Sequence, residues 1–291
     1  MKFGLEINEF NWSGGPEEMG RHLADIGRRA EDAGFDSIWV WDHFIQLRRW
    51  EDPLLEGWLM LAYLAAATER IKLGTLVTGV TYRHPAVLVK QASTLDVLSG
   101  GRSYFGVGAA WNEREHAAFG VRFPPIAERF QMLEDLLRIA HRAWAGETGR
   151  FDGQTVQLTE QMDNPPPVRR PHPPILIGGG GEKKTLKLVA KYGDATHQTT
   201  SDPDVMRHKM EVLRRHCEAE GRDYERIERF CGLELKPEAG QTGPIADAPT
   251  LLHRTRSLAE AGSQGVFIVL PDIADSDSIE RFGAEVIAAS G

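Results

Sequence analysis

Asp42 and His43 close the run S-I-W-V-W-D-H-F, in which an apolar strand abruptly presents a carboxylate and an imidazole. At a pocket mouth an imidazole donates a hydrogen bond, shuttles a proton, or steadies charge that builds on a ring during hydride transfer. The same pair also reads as a capping Asp beside a partly exposed His. A second stretch, Gly100 to Gly120, runs G-G-R-S-Y-F-G-V-G-A-A-W-N-E-R-E-H-A-A-F-G. Its strand-like start gives way to Gly106, Gly108, Ala109 and Ala110, small enough for a flat ligand to approach the backbone. Glycines there also relieve crowding inside a closed barrel. Trp111, Asn112 and Glu113 follow, just before a helical segment, where α/β proteins place side chains that touch a ligand. A third stretch, I-L-I-G-G-G-G-E-K-K-T-L, joins an apolar strand to a helix through Gly178, Gly179, Gly180 and Gly181. Exposed backbone N–H groups at a helix start form a phosphate cradle, and Lys183 and Lys184 favour an anion. The spacing is neither a Walker loop nor a dinucleotide fingerprint, and such glycines can be purely conformational.

The elements that must position these residues alternate between short β-like runs and amphipathic helical segments. Strands are expected to begin near Phe3, Ser37, Ile71, Ser103, Ile175, Ala195, Arg229 and Gly265, and eight such units close a (β/α)8 barrel, a TIM barrel in one domain over residues 1–291. Glu17 to Gly34 reads as a crossover helix with Leu23, Ile26 and Ala30 on one face and Gly34 as its stop. Pro85 to Leu98 repeats the design, with Val87, Leu88, Leu95 and Leu98 expected in the core. Six prolines between Pro165 and Pro174 make 149–174 an extended surface insertion. A shorter excursion, Pro237 to Pro249, reads as a mobile loop after the seventh strand. In such a barrel the reactive residues lie just past the strand C-termini. That rule selects Glu6 and Asn8; Asp42 and His43; Thr75, Leu76, Val77 and Thr78 with Arg83 and His84; Gly108 through Glu113; Gly178 through Gly181; and His197 through Thr200.

The bulk properties are those of an ordinary globular chain: 291 residues, 41% hydrophobic and 26% charged. A formal net charge of −8 without a dense basic tract argues against nucleic acid as a partner. No apolar run approaches the ~18 to 20 residues of a membrane span, and the first residues lack a signal peptide's pattern. Cys217 and Cys231 have neither metal-ligand nor C-x-x-C spacing, which suits a reducing cytoplasm. No H-E-x-x-H group or serine nucleophile elbow occurs, so neither a metal nor an acyl-enzyme is expected.

With W-D-H-F, L-G-T-L-V-T-G-V-T-Y-R-H-P-A-V-L-V-K-Q, G-V-G-A-A-W-N-E-R-E-H-A-A-F-G and P-P-I-L-I-G-G-G-G in this order, nearly the whole chain resembles the bacterial luciferase-like superfamily. It is most similar to the branch of oxidoreductases that use the deazaflavin coenzyme F420. The resemblance implies a cytoplasmic homodimer whose barrel mouth binds a deazaflavin, or alternatively FMN, beside a small-molecule substrate. It implies catalysis by His43 with Asp42, and cofactor contacts from Glu6, Asn8, Thr75, Leu76, Val77, Gly108, Ala109, Ala110, Trp111, Asn112, Gly178, Gly179 and Gly180. In relatives the position of Leu76-Val77 holds a non-prolyl cis peptide against the middle of the tricycle. Two positions depart from the pattern: Ala110 stands where many members have glycine, and Trp111 where the sugar-phosphate dehydrogenases use a glutamate as proton donor. The second departure argues against glucose 6-phosphate and for a more apolar carbonyl, imine or enone. A reduced-FMN monooxygenase and a flavin-binding protein without turnover remain as alternatives.

Overall fold

The computed structural model describes residues 1–47, 49–237, 243 and 245–290. In chain order the elements are β1 (Lys2–Ile7), α1 (Met19–Asp32), β2 (Ser37–Val40), α2 (Gly57–Ala67), β3 (Lys72–Thr75), β4 (Thr78–Gly79), α3 (Pro85–Leu98), β5 (Ser103–Gly108), α4 (Glu113–Phe119) and α5 (Ile126–Trp144). Then come β6 (Gly149–Asp152), β7 (Gln157–Gln161), β8 (Ile175–Gly178), α6 (Thr185–Tyr192), β9 (Ala195–Gln198), α7 (Pro203–Glu220), β10 (Glu228–Gly232), α8 (Ala248–Glu260), β11 (Gly265–Ile268) and α9 (Ser278–Phe282). β1, β2, β3, β5, β8, β9, β10 and β11 are all parallel, and the pairing of β3 with β5 closes them into the expected (β/α)8 barrel. Each of these strands starts within a residue of the position read from the sequence. Two-residue β4 lies along the end of β5 and extends one wall at the C-terminal mouth.

The helices follow from their apolar spacing. Leu23, Ile26 and Ala30 bury one stripe of α1, and Gly34, at φ +91, reverses the chain beyond its end. Leu88 and Leu95 of α3 are buried as expected, but Val87 and Leu98 stay 54% and 64% exposed, so the apolar stripe is wider than the core it meets. The proline-rich insertion is only half irregular. Residues 149–161 form an antiparallel β6–β7 hairpin whose Phe151 is fully buried beneath the Arg138 and Arg142 guanidinium groups of α5. Six prolines dominated the reading of 149–174, yet all of them lie after this hairpin. In the second excursion 238–242 and 244 lie outside the described residues, and Ala248 and Pro249 already form the first turn of α8.

The barrel lumen is filled by Trp39, Tyr104, Leu176, Ala195, Phe230 and Phe267. Trp39 stacks on Phe267 at 4.5 Å between ring centroids, and Phe230 stacks on the same Phe267 at 4.9 Å. Room for the indole comes from two glycines: a Cβ at Gly74 would lie 2.5 Å from Trp39 Cζ3, and one at Gly4 2.8 Å from Trp39 Cδ1.

Gly106 is the tightest point of the wall. A Cβ there would lie 1.8 Å from the Thr75 carbonyl oxygen, which itself belongs to a neighbouring strand and cannot move aside like a side chain. Gly106→Ala is expected to cost about 3 kcal/mol or more. Gly100→Ala, at φ +67 with nothing within 4 Å, is expected to cost only about 1 kcal/mol from backbone conformation. Urea unfolding of the two variants measures the difference; equal losses would refute the packing argument.

Candidate active site

A cavity of about 340 Å³ opens at the C-terminal mouth. Its back is Leu76-Val77, one side is Gly108, Ala109 and Ala110, and the other is the turn Gly178–Gly181; His43, Tyr82, Trp111, Phe130 and His197 complete the walls. The Leu76–Val77 peptide is cis. Val77 projects between the two sides, since a Cβ on either Gly108 or Gly178 would come within 2.8 Å of its methyl groups. Ala110 adopts φ 59, a left-handed conformation that glycine takes with less strain. No lysine or arginine lines this cavity among the described residues.

His43 enters it from the end of β2, and its Nδ1 lies 2.7 Å from Oε2 of Glu115 on α4. Glu115 is fully buried and also accepts hydrogen bonds from the backbone N–H groups of Phe44 and Ile45 and from the Tyr82 hydroxyl. Burial would raise its pKa, but the bonds from His43, Phe44 and Tyr82 outweigh that and hold the carboxyl below the usual range. The Tyr82 phenol is pushed up by burial and by Glu115, so it remains a donor. An ionised carboxylate only accepts, which assigns the proton on this side of the imidazole to Nδ1 and leaves Nε2 as the nitrogen available to the cavity. The Trp111 ring meets His43 edge-on at 5.7 Å while remaining 64% exposed at the entrance.

Asp42 sits elsewhere. It is fully buried behind the wall, with Arg83 Nη1 at 2.6 Å and Nη2 at 2.9 Å, and Arg83 also pairs with Glu56. Its charge is thus engaged by a fixed cation away from the cavity, contrary to the catalytic pairing expected with His43. Thr75 is likewise buried and donates to the Gly106 carbonyl at 2.7 Å, bracing β3 on β5. Asn112 caps α4 through the Glu115 N–H at 3.3 Å. Glu6 accepts from Asn8 Nδ2 at 3.2 Å and from Trp41 Nε1, burial pushes its carboxyl up, and both residues line a separate small cavity of about 70 Å³. Thr75, Asn112, Glu6 and Asn8 therefore do not line the main cavity, whereas Leu76, Val77, Gly108, Ala109, Ala110, Trp111, Gly178, Gly179 and Gly180 do. Lys183 and Lys184 face a neighbouring cavity instead.

Some polar groups in the walls of the main cavity have no partner within the protein. The backbone N–H groups of Gly180 and Gly181 have no hydrogen-bond partner among the described residues, and Lys209 Nζ holds the Gly180 carbonyl at 2.9 Å. His197 stacks nearly parallel on Phe267 at 4.9 Å, burial lowers its pKa to about 4, and its Nε2 has no partner. Buried polar atoms are rarely left unpaired, so a ligand with hydrogen-bonding ring edges and an anionic end fits these walls. Glu115, Tyr82, Phe130 and His197's orphaned nitrogen complete what the sequence reading lacked. The spacing Asn112-x-x-Glu115 carried a signal, but it reads as a capping box in which the glutamate turns back on its own helix. Among the described residues no group of three or more His, Cys, Asp or Glu is placed to hold a metal ion, and no helix is long and apolar enough to cross a membrane.

Comparison with known proteins matches this architecture. The sequence profile of the luciferase-like monooxygenase family covers residues 1–236. An uncharacterized protein of Mycobacterium tuberculosis is 32% identical over 80% of this chain and 76% of its own. The F420-dependent glucose-6-phosphate dehydrogenase of Kineococcus radiotolerans is 34% identical over 73% of this chain, which spans 63% of that enzyme's length. Among solved structures, an F420-dependent secondary alcohol dehydrogenase in complex with an F420-acetone adduct superposes with a TM-score of 0.82 at 19% identity, over 99% of this chain and 98% of that one. A type II Baeyer-Villiger monooxygenase from Pseudomonas putida in complex with FMN superposes with a TM-score of 0.77 at 16% identity, over 98% of both. The closed barrel and the matched profile place the chain in the luciferase-like monooxygenase family, as an oxidoreductase related to its F420-dependent members.

Proposed function

We propose that the protein transfers a hydride between coenzyme F420 and a small, unphosphorylated carbonyl, imine or enone, with His43 as its acid–base residue. The observation that carries this reading is His43 in the cavity wall with Nδ1 fixed on buried Glu115. Bound in the mouth, the deazaflavin supplies or accepts the hydride. Leu76-Val77 and Ala109-Ala110 are the residues that would hold the ring, and the Gly180 and Gly181 N–H groups those that would hold its phosphate. His43 Nε2 holds or delivers the proton at the substrate oxygen or nitrogen, and Glu115 keeps the imidazole in one tautomer. Trp111, Tyr82, Ile126 and Phe130 give the substrate side an aromatic and aliphatic lining. Among the described residues no Lys or Arg lines the cavity, which favours a neutral substrate over a second phosphate beside the cofactor's own.

Self-association belongs to the same proposal. α2, G-W-L-M-L-A-Y-L-A-A-A, has no charged residue, yet Leu59 and Tyr63 are 73% and 48% exposed. An all-apolar helix at a surface favours burial against a second copy.

Three measurements test these readings. Fluorescence titration of the apoprotein is expected to give at least about tenfold tighter binding of F420 than of FMN; the reverse order, with oxygen consumed on turnover, would assign an FMN monooxygenase instead. His43→Ala is expected to slow hydride transfer about 100-fold or more, and Glu115→Gln about 10- to 100-fold, with cofactor affinity changed less than about threefold. Unaltered rates in both variants would remove His43 from the chemistry. Sedimentation should show a dimer that Leu59→Glu dissociates, and a monomeric wild-type protein would refute the paired α2 surface.

A further inference from the structure

Arg129 of α5 is a buried cation without a carboxylate at ion-pair distance among the described residues. Its donors go to main-chain carbonyls instead: Nε to Pro124 at 3.0 Å, and Nη1 to both Ala109, at 3.3 Å, and Ala110. The guanidinium also lies over the Phe123 ring, 4.1 Å from its centroid. Burial lowers its pKa, but a guanidinium stays protonated in proteins, so a positive charge stands behind Ala109 and Ala110. Such a charge is costly to bury unless an anion comes near it.

Arg129 does not line the main cavity, whereas Ala109, Ala110 and Trp111 do. The peptide units joining these three residues are trans, and in a planar trans unit the N–H points opposite to the C=O. With both alanine carbonyls turned back to Arg129, the N–H groups of Ala110 and Trp111 are turned toward the cavity. Neither has a hydrogen-bond partner among the described residues. Both precede Asn112, the cap of α4, so they are not the helix's own end groups. The left-handed φ of 59 at Ala110 sets the two N–H groups side by side, and the bonds from Arg129 hold that conformation. Trp111 also meets His43 edge-on at 5.7 Å, which puts the pair on the His43 side of the cavity.

We infer that the Ala110 and Trp111 N–H groups, backed by Arg129 as a positioning residue, form an oxyanion site for the oxygen of a carbonyl substrate. The inference rests on the function proposed above and deepens it by narrowing the substrate class. When a hydride adds to the carbonyl carbon, or to the β-carbon of an enone, the π pair moves onto the oxygen. The hydride donor, the bound reduced cofactor, is oxidised by two electrons, and His43 Nε2 supplies the proton. Two fixed N–H donors and a buried positive charge favour that oxygen most as it becomes negative. A protonated imine carries the opposite charge and is disfavoured in the same place, so ketones, aldehydes and enones are selected over imines.

The test uses the protein loaded with oxidised deazaflavin and a flat oxyanion, pentafluorophenolate, with binding followed by fluorine NMR. Pentafluorotoluene, in which a methyl group replaces the oxygen, is the uncharged control. The phenolate is expected to bind about tenfold tighter or more. A phenolate affinity no greater than the control's would overturn the oxyanion site while leaving the deazaflavin assignment standing, and failure of the deazaflavin itself to bind would overturn both. Arg129→Gln is expected to remove most of the preference and Arg129→Lys, which keeps the charge, to restore part of it, with deazaflavin affinity changed less than about threefold in both. A preference that survives Arg129→Gln, or that is lost only together with the cofactor, would remove Arg129 from the site. In the wild-type protein, which depends on no variant's folding, cyclohexenone should displace the phenolate and the pyrrolinium cation should not. Displacement by the cation as well would refute the selection of carbonyls over imines.

Discussion

A ring of eight parallel strands has a lumen that must be filled, and the way this chain fills it fixes where a ligand can sit. Trp39 is the largest piece, and Gly4 and Gly74 are the vacancies shaped for it. Trp39, Phe230 and His197 each stack on Phe267, so the lumen is solid aromatic matter up to the level of His197. Above that level the wall changes character. Gly108 and Gly178 lack side chains where Val77 projects, and the space left between Val77, the alanines and the glycine turn is a slot rather than a bowl. The floor is thus set by packing alone. The polar atom left over at its upper surface is His197 Nε2, which has no partner in the protein.

Much of this was legible in the chain. Strand starts such as Ser37, Ser103 and Gly265 follow from short apolar runs bounded by turn residues, and those signals are local. That Gly108 relieves crowding was one reading open in the sequence, but the crowding residue was not: Val77 is distant in sequence from both Gly108 and Gly178, so only three-dimensional packing reveals it. The Asp42-His43 dipeptide suggested one functional unit, whereas consecutive residues past a strand end point in different directions, and here one meets Arg83 and the other Glu115. Glu115 escaped notice because its partners, His43, Phe44 and Tyr82, lie 33 to 72 positions away. The β6–β7 hairpin was obscured by the prolines beyond it, although Phe151 and Leu158 are the apolar pair its register places opposite each other.

The two buried carboxylates near the mouth show why position past a strand end does not by itself assign a catalytic role. Asp42 is held in a two-pronged grip by Arg83, so its negative charge is neutralised by a permanent cation and has little left to offer a reaction. Glu115 has no Lys or Arg among its hydrogen-bond partners: two backbone N–H groups, one phenol and one imidazole surround it. Three of those partners are neutral whatever the protonation state of substrate or cofactor. The fourth, His43, is the only one able to become a cation, and it is also the one that lines the cavity. A carboxylate stabilised by neutral dipoles keeps its full charge in a poorly solvated place, directly beside the imidazole that lines the cavity. Asp42 and Arg83 in turn pair behind the wall at the same strand end, so the two carboxylates divide the work: one braces the loop, the other meets the imidazole.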